Sequence, residues 1–151
     1  QQACKEMLAA SYLAGKAINI TQTAAGHAMC YKLTSLYGIA HGHAAALCVR
    51  RLWPYMLGHL ENGVDSRGEK WLEEMFLDLA KTFGADTARE GAEVFDRFIA
   101  SLGLEIPVSR SDEEYVTLKN SVNAVRMKNN PISLNIEEID GLYHDIIRKK
   151  E

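Results

Sequence analysis

Proline is scarce in this 151-residue chain, with three in all, at positions 54, 107 and 131. Long stretches therefore lack the residue that most effectively breaks a helix. No stretch alternates apolar and polar residues for long, so the signature of half-buried strands is missing as well. Positive charge is not in excess: 17 Lys and Arg stand against 20 Asp and Glu, a net charge of −3. That balance excludes the basic footprint of a nucleic-acid binder. The longest apolar runs are too short and too interrupted to cross a membrane as a helix, and no secretory signal pattern opens the chain. Cysteine is limited to Cys4, Cys30 and Cys48, an odd number without CxxC or zinc-finger spacing. They read as free thiols, and the expected compartment is the reducing cytoplasm. Neither a GxGxxG nor a P-loop pattern occurs, so no segment cradles a pyrophosphate by that route.

What is present is an ordinary globular composition, 47% hydrophobic and 25% charged, in a chain large enough for one domain with its own core. The spacing of apolar residues predicts an all-α fold of about seven helices. The first spans about 3–18, with Leu8, Tyr12 and Leu13 at helical spacing, and a turn over 19–25 precedes a second carrying His27. A third starts near Gly42 and runs towards Leu60, interrupted or kinked near Pro54. After a loop over 61–68, Trp71, Leu72, Met75, Phe76, Leu79 and Phe83 form a stripe closed by Gly84. Asp86 or Thr87 caps a helix that Gly103 ends, and 104–108 is an extended connection. Ser111 and Glu114 match a capping box before a helix through Tyr115, Leu118 and Val122. Asn129-Asn130-Pro131 turns the chain, and Asn135 caps the last helix.

Three of the five histidines fall within 24–46, AAGHAMCYKLTSLYGIAHGHAAA. His27 and His41 are fourteen residues apart, each beside a glycine. On one continuous helix they would be about 21 Å apart, beyond the span of a single ion. To share one, with metal–nitrogen distances of about 2 Å, the helix must stop and the chain double back. A helix ending near Ser35 and a return through 36–40, with Gly38 as breaker, makes this feasible. The bland alternative is a helical hairpin whose histidines are only structural. Tyr31, four residues after His27, shares its helix face. His43 is about 200° of helical rotation from His41 and does not readily share its metal. His59 and His144 read as surface residues.

The run Gly26-His27-Ala28-Met29 through Tyr37-Gly38-Ile39-Ala40-His41-Gly42-His43-Ala44, then Trp53-Pro54-Tyr55-Met56, resembles the metal-binding signature of the iron-containing (group III) alcohol dehydrogenases. In that family a GxxHxxxH segment is followed by a PHG segment, and two histidines fourteen residues apart are ligands. Leu102-Gly103-Leu104 with Pro107, and Asn129-Asn130-Pro131 with Leu134 and Glu137-Glu138-Ile139, resemble later family segments, so the likeness covers essentially the whole chain. It implies a dehydroquinate synthase-like C-terminal domain, an orthogonal multi-helix bundle over residues 1–151. It also implies an oxidoreductase acting on CH–OH groups, with His27 and His41 holding a divalent metal, iron first and zinc second. Such a metal polarises a carbonyl or stabilises an alkoxide while hydride moves to or from NAD or NADP.

Two ligands do not complete the site. The family's DxxxH segment, which supplies the others, and its nucleotide-binding α/β domain have no counterpart among these residues. The chain opens Gln-Gln inside a helical pattern, and the expectation is a domain of a longer enzyme, inert by itself. Its partners would be its own N-terminal nucleotide-binding domain and a small alcohol or aldehyde, without nucleic acid or membrane, and a homodimer is compatible. Tyr31 stands where many members have a second histidine; a proton-relay role competes with that of a tyrosine lining the cleft. Ala40 replaces the usual proline before His-Gly. His43 lines the cleft or touches substrate, and Lys32, Arg50 and Arg51 are candidates for an anionic substrate group. The run over 27–44 resembles members that reduce phosphonoacetaldehyde. Two other readings stay open: a free-standing helical interaction module, and a structural zinc site joining Cys30 to the histidines, which lacks an evident fourth ligand.

Overall fold

The computed structural model describes residues 1–150. Eight α-helices follow in order: α1 (Gln2–Ile20), α2 (Ala25–Tyr37), α3 (His41–Leu57), α4 (Glu69–Thr82), α5 (Ala88–Ser101), α6 (Asp112–Asn120), α7 (Ala124–Met127) and α8 (Ile136–Ile146). A 3-10 turn covers Leu60–Asn62. The all-α expectation holds, with one short parallel pairing added: β1 (Val108–Ser109) against β2 (Arg148–Lys149). Among the described residues no helix is long and apolar enough to cross a membrane.

The helix α3 is the spine. Its Leu47, Cys48 and Leu52 are buried with Met29 and Leu33 of α2, Leu118 of α6, and Leu142, Tyr143 and Ile146 of α8. Each fully buried leucine of this set contributes about 2 kcal/mol of hydrophobic stabilisation. Tyr143 lies 0% exposed and donates its hydroxyl proton to the Met29 carbonyl at 2.9 Å, so its polar end is satisfied and α8 is locked to α2. The next residue after Leu52, about 100° further round the helix, Trp53 faces a second cluster with Phe76 of α4 and Ala92 of α5, flanked by Phe83 and Phe95. The Trp53 ring stands 5.6 Å from each of those phenylalanines in tilted arrangements that aromatic quadrupoles favour. The glycine Gly91 permits the α4–α5 crossing: a Cβ there would sit 2.4 Å from the Ala80 Cβ.

Local chemistry explains the element ends. Thr87 accepts the Glu90 amide, and Asn135 and Glu138 form a reciprocal capping box at α8. Gly38, Gly84 and Gly103 adopt positive φ where α2, α4 and α5 stop. Pro54 lies inside α3, which is not interrupted before Leu57; in the last turn the proline removes only one ladder bond.

Three further expectations change. Ser111 forms neither half of a capping box: the Glu114 amide bonds the Ser111 carbonyl at 3.2 Å rather than its hydroxyl, and the Glu114 carboxylate is taken by the Arg110 amide at 3.0 Å and the Tyr37 hydroxyl at 2.8 Å. The extra helix α7 falls between the two that were expected, started by Asn123, whose side chain accepts the Val125 and Arg126 amides. Finally, α1 is a helix as its periodicity predicts, but none of its residues is buried. Its Met7, Leu8, Tyr12, Leu13 and Ile18 are all more than half exposed.

Candidate metal centre

The sequence brings the two histidines together by a helix stop and a sharp return. Gly38, at φ 70°, ends α2 in the left-handed region that glycine adopts without strain. Only 38–40 lie outside helix, so the return is two residues shorter than the predicted 36–40. The next helix, α3, then starts beside the middle of α2 and runs past its beginning. There Gly26 lets the helices close, since a Cβ on it would lie 2.9 Å from the Val49 Cγ2.

This geometry sets the His27 and His41 ring centroids 5.0 Å apart at an interplanar angle of 61°. Two imidazoles bound to one ion at about 2.05 Å, at about 90–110° to each other, place their centroids roughly 4.5–5.3 Å apart. The observed separation lies within that range. Among the described residues no third His, Cys, Asp or Glu joins them to make a three-ligand group. His27 is half-buried and His41 exposed, so the pair opens outward. Burial first, then the neighbouring His41 and Arg126, hold the His27 imidazole below its ordinary pKa. Its neutral form, the one that ligates, is thereby favoured at neutral pH.

Around the pair, Tyr31 completes a triangle of rings, 6.2 Å from His27 and 5.1 Å from His41. The Tyr31 hydroxyl accepts a hydrogen bond from Arg126 Nη1. Beneath His41 lies the Cys30 thiol, fully buried, its Sγ 3.7 Å and 3.9 Å from the two ring nitrogens. The sulfur also approaches the His27 carbonyl at 3.4 Å, and burial raises its pKa. A buried thiol at these distances packs against the imidazole.

The remaining predicted residues divide. His43 Nε2 bonds the Glu105 carbonyl at 2.7 Å, so the ring tethers the chain beyond α5 to the first turn of α3. Lys32 follows Tyr31 on α2 and is half-buried, outside the cleft lining that contains His27 and Tyr31. Arg50 and Arg51 are turned to Asp96 of α5, and neither serves as a free anion anchor. His59 stacks on Tyr55 at 4.1 Å and His144 on Tyr115 at 3.7 Å, away from the pair. Around the histidines, Tyr31, His41 and Gly42 are exposed, whereas Ala25 belongs to the core. Sequence reasoning missed Cys30 as the floor of the site and Arg126 as its flank. Cys30 had a signal, three residues after His27; Arg126 had none, because contact across 95 residues leaves no periodic trace.

Over residues 1–147 the chain matches the Fe-containing alcohol dehydrogenase family, C-terminal. It is similar to the phosphonoacetaldehyde reductase of Streptomyces viridochromogenes, 33% identical over 137 residues that cover 88% of this chain and 34% of that protein. The chain thus spans about a third of that relative's length. No solved structure gives a significant match. Helical fold, paired histidines and family match agree, and the chain belongs to the iron-containing alcohol dehydrogenases, matching the C-terminal part of that family.

Proposed function

We propose that this chain is the metal-binding helical domain of an NAD(P)-linked alcohol dehydrogenase or aldehyde reductase, with His27 and His41 as two ligands of a catalytic divalent ion. The observation that carries the reading is the 5.0 Å approach of the two rings, reached only because Gly38 turns the chain back. Iron is the ion the family name indicates, and zinc suits the same imidazole donors. The other ligands and most contacts to NAD or NADP are assigned to an N-terminal nucleotide-binding domain. The substrate class is a small aldehyde bearing a phosphonate group, in line with the activity for which the Streptomyces relative is named.

When bound, the ion supplies Lewis-acid polarisation of the substrate oxygen, which eases hydride transfer with a nicotinamide. The chain's own residues prepare for that chemistry. His27 offers a neutral nitrogen because burial and nearby positive groups suppress its protonation. Cys30 and the buried face of α2 keep water from the inner side of His41. Tyr31 uses an oxygen lone pair towards Arg126 and keeps its hydroxyl proton, so it can hydrogen-bond the substrate oxygen or deliver a proton there. His43 is held at the start of α3 by its bond to the Glu105 carbonyl.

The test uses the longer enzyme that carries this chain. His27→Ala and His41→Ala are expected to lower metal content and NAD(P)H-dependent aldehyde reduction by more than about a hundredfold, the range that even outer-shell partners of a metal reach. Full metal content in both variants would overturn the reading.

A further inference from the structure

The cleft that contains His27 and Tyr31 is closed on its other side by Arg126 of α7. Arg126 is half-buried, its guanidinium carbon 4.7 Å from the Tyr31 ring centroid. Its Nη1 reaches the Tyr31 hydroxyl and, at 3.4 Å, the Thr23 hydroxyl, both neutral acceptors. No carboxylate lines the cleft among the described residues; Gln22, Thr23, Asn123 and Asn129 supply its polar wall. The paired arginines Arg50 and Arg110 show the contrast, each meeting an acidic side chain. A partly desolvated cation without an anionic partner is costly unless something else supplies one. Here the Nη2 and Nε edge of the fork is left for that purpose.

We infer that Arg126 is the specificity-determining residue of the site, binding the anionic tetrahedral group of the substrate while the aldehyde end faces His27 and His41. The inference rests on the reductase reading and deepens it. Distance supports it: Arg126 is 4.7 Å from the Tyr31 ring, itself 5.1 Å from the His41 ring. A molecule with two carbons between its aldehyde oxygen and its phosphonate oxygens covers roughly 5 Å, and a charge-assisted hydrogen bond adds about 2.8 Å. The steps from Arg126 to the Tyr31 ring and on to the His41 ring bound the Arg126–His41 separation at about 10 Å, so a substrate of this reach is of the right length to extend from the histidines towards the guanidinium. The planar fork suits two oxygens of one phosphonate, a geometry that a lysine at the same position would not reproduce. Thr23 and Asn123 lie where they can donate to a third oxygen.

Two measurements test the assignment in the longer enzyme. In the first, Arg126→Met and Arg126→Lys are assayed with phosphonoacetaldehyde and with propionaldehyde, an uncharged aldehyde. The expected result is a loss in kcat/KM of about a hundredfold for the phosphonate substrate in Arg126→Met, with a smaller loss in Arg126→Lys. Propionaldehyde, which lacks the anion, should lose much less, only the part due to the lost bond to Tyr31, and the KM for NAD(P)H should change less than about threefold. Equal losses on both aldehydes, no loss at all, or a selective rise in the nicotinamide KM would overturn the inference; the last would assign the guanidinium to a cofactor phosphate.

The second titrates phosphonoacetate into metal-free protein, followed by phosphorus NMR, with acetate as control. Binding that weakens at least tenfold in Arg126→Met, with acetate bound much more weakly throughout, supports the inference. Binding indifferent to both variants refutes it. Because this titration needs neither metal nor nicotinamide, it separates failure of the anion site from failure of the metal reading.

Discussion

Glu114 shows how one residue ties a loop to the hairpin that builds the site. Its side chain is only 14% exposed, and it accepts bonds from the Arg110 amide and from the hydroxyl of Tyr37, the last residue of α2. Burial pushes its carboxyl pKa up, but the Arg110 amide, the Tyr37 hydroxyl and the Arg110 charge outweigh that, and the net direction is down. Burial and the same carboxylate raise the Tyr37 phenol, so Tyr37 stays a donor. A carboxylate whose folded pKa is depressed adds stability above its unfolded value of about 4.3 and loses it as pH falls towards the folded value. Glu114→Gln should therefore cost about 1–2 kcal/mol near neutral pH and progressively less below about pH 4.3. Urea unfolding at pH 7 and pH 3.5 reads this directly. A cost that is the same at both values would show that the charge of Glu114 is not what matters.

At the scale of elements, the α4–α5 crossing depends on the lack of a side chain at one position. A Cβ on Gly91 would lie 2.6 Å from the Ala80 Cα and 3.4 Å from the Trp53 ring. The closest clashes are with the Cβ and Cα of Ala80, neither of which can swing aside. Gly91→Ala is expected to destabilise the domain by about 1–3 kcal/mol, as overpacking does, despite the better helix propensity of alanine. A melting temperature equal to or above wild type would contradict the crossing. The stripes of α4, α5 and α8 were legible in the sequence because 3.6-residue periodicity marks any helix that buries one face. Ser111 and Asn135 show where legibility stops. Both begin a motif with Glu three residues on, yet only Asn135 and Glu138 form the box, while Tyr37 and Arg110 hold the Glu114 carboxylate. At four residues, α7 is too short to carry a period, and so Arg126 was invisible until the chain was folded.

Over the whole molecule, one property separates this domain from a self-sufficient bundle. The exposed Leu8, Tyr12 and Leu13 of α1 follow the same periodicity as the buried stripes, so the sequence pattern identified a helix and a face without identifying what covers it. The candidate metal centre shares this outward character, with His41 and Tyr31 exposed at its rim. The fourteen-residue spacing and the glycine at the turn made the histidine pair legible, because chain reach and helix rise fix where a return segment can arrive. The floor of Cys30 and the flank of Arg126 depend on packing between distant segments, which spacing does not encode.

The central claim, that His27 and His41 bind one ion together, is tested most directly by titrating zinc into protein labelled with nitrogen-15 in its five histidines. Long-range proton–nitrogen correlation spectra follow each imidazole separately. The account predicts that one ring nitrogen of His27 and one of His41 shift together along a single binding curve, while His43, His59 and His144 stay in place. Separate curves for the two rings, or an ion that settles on the other histidines first, would contradict it.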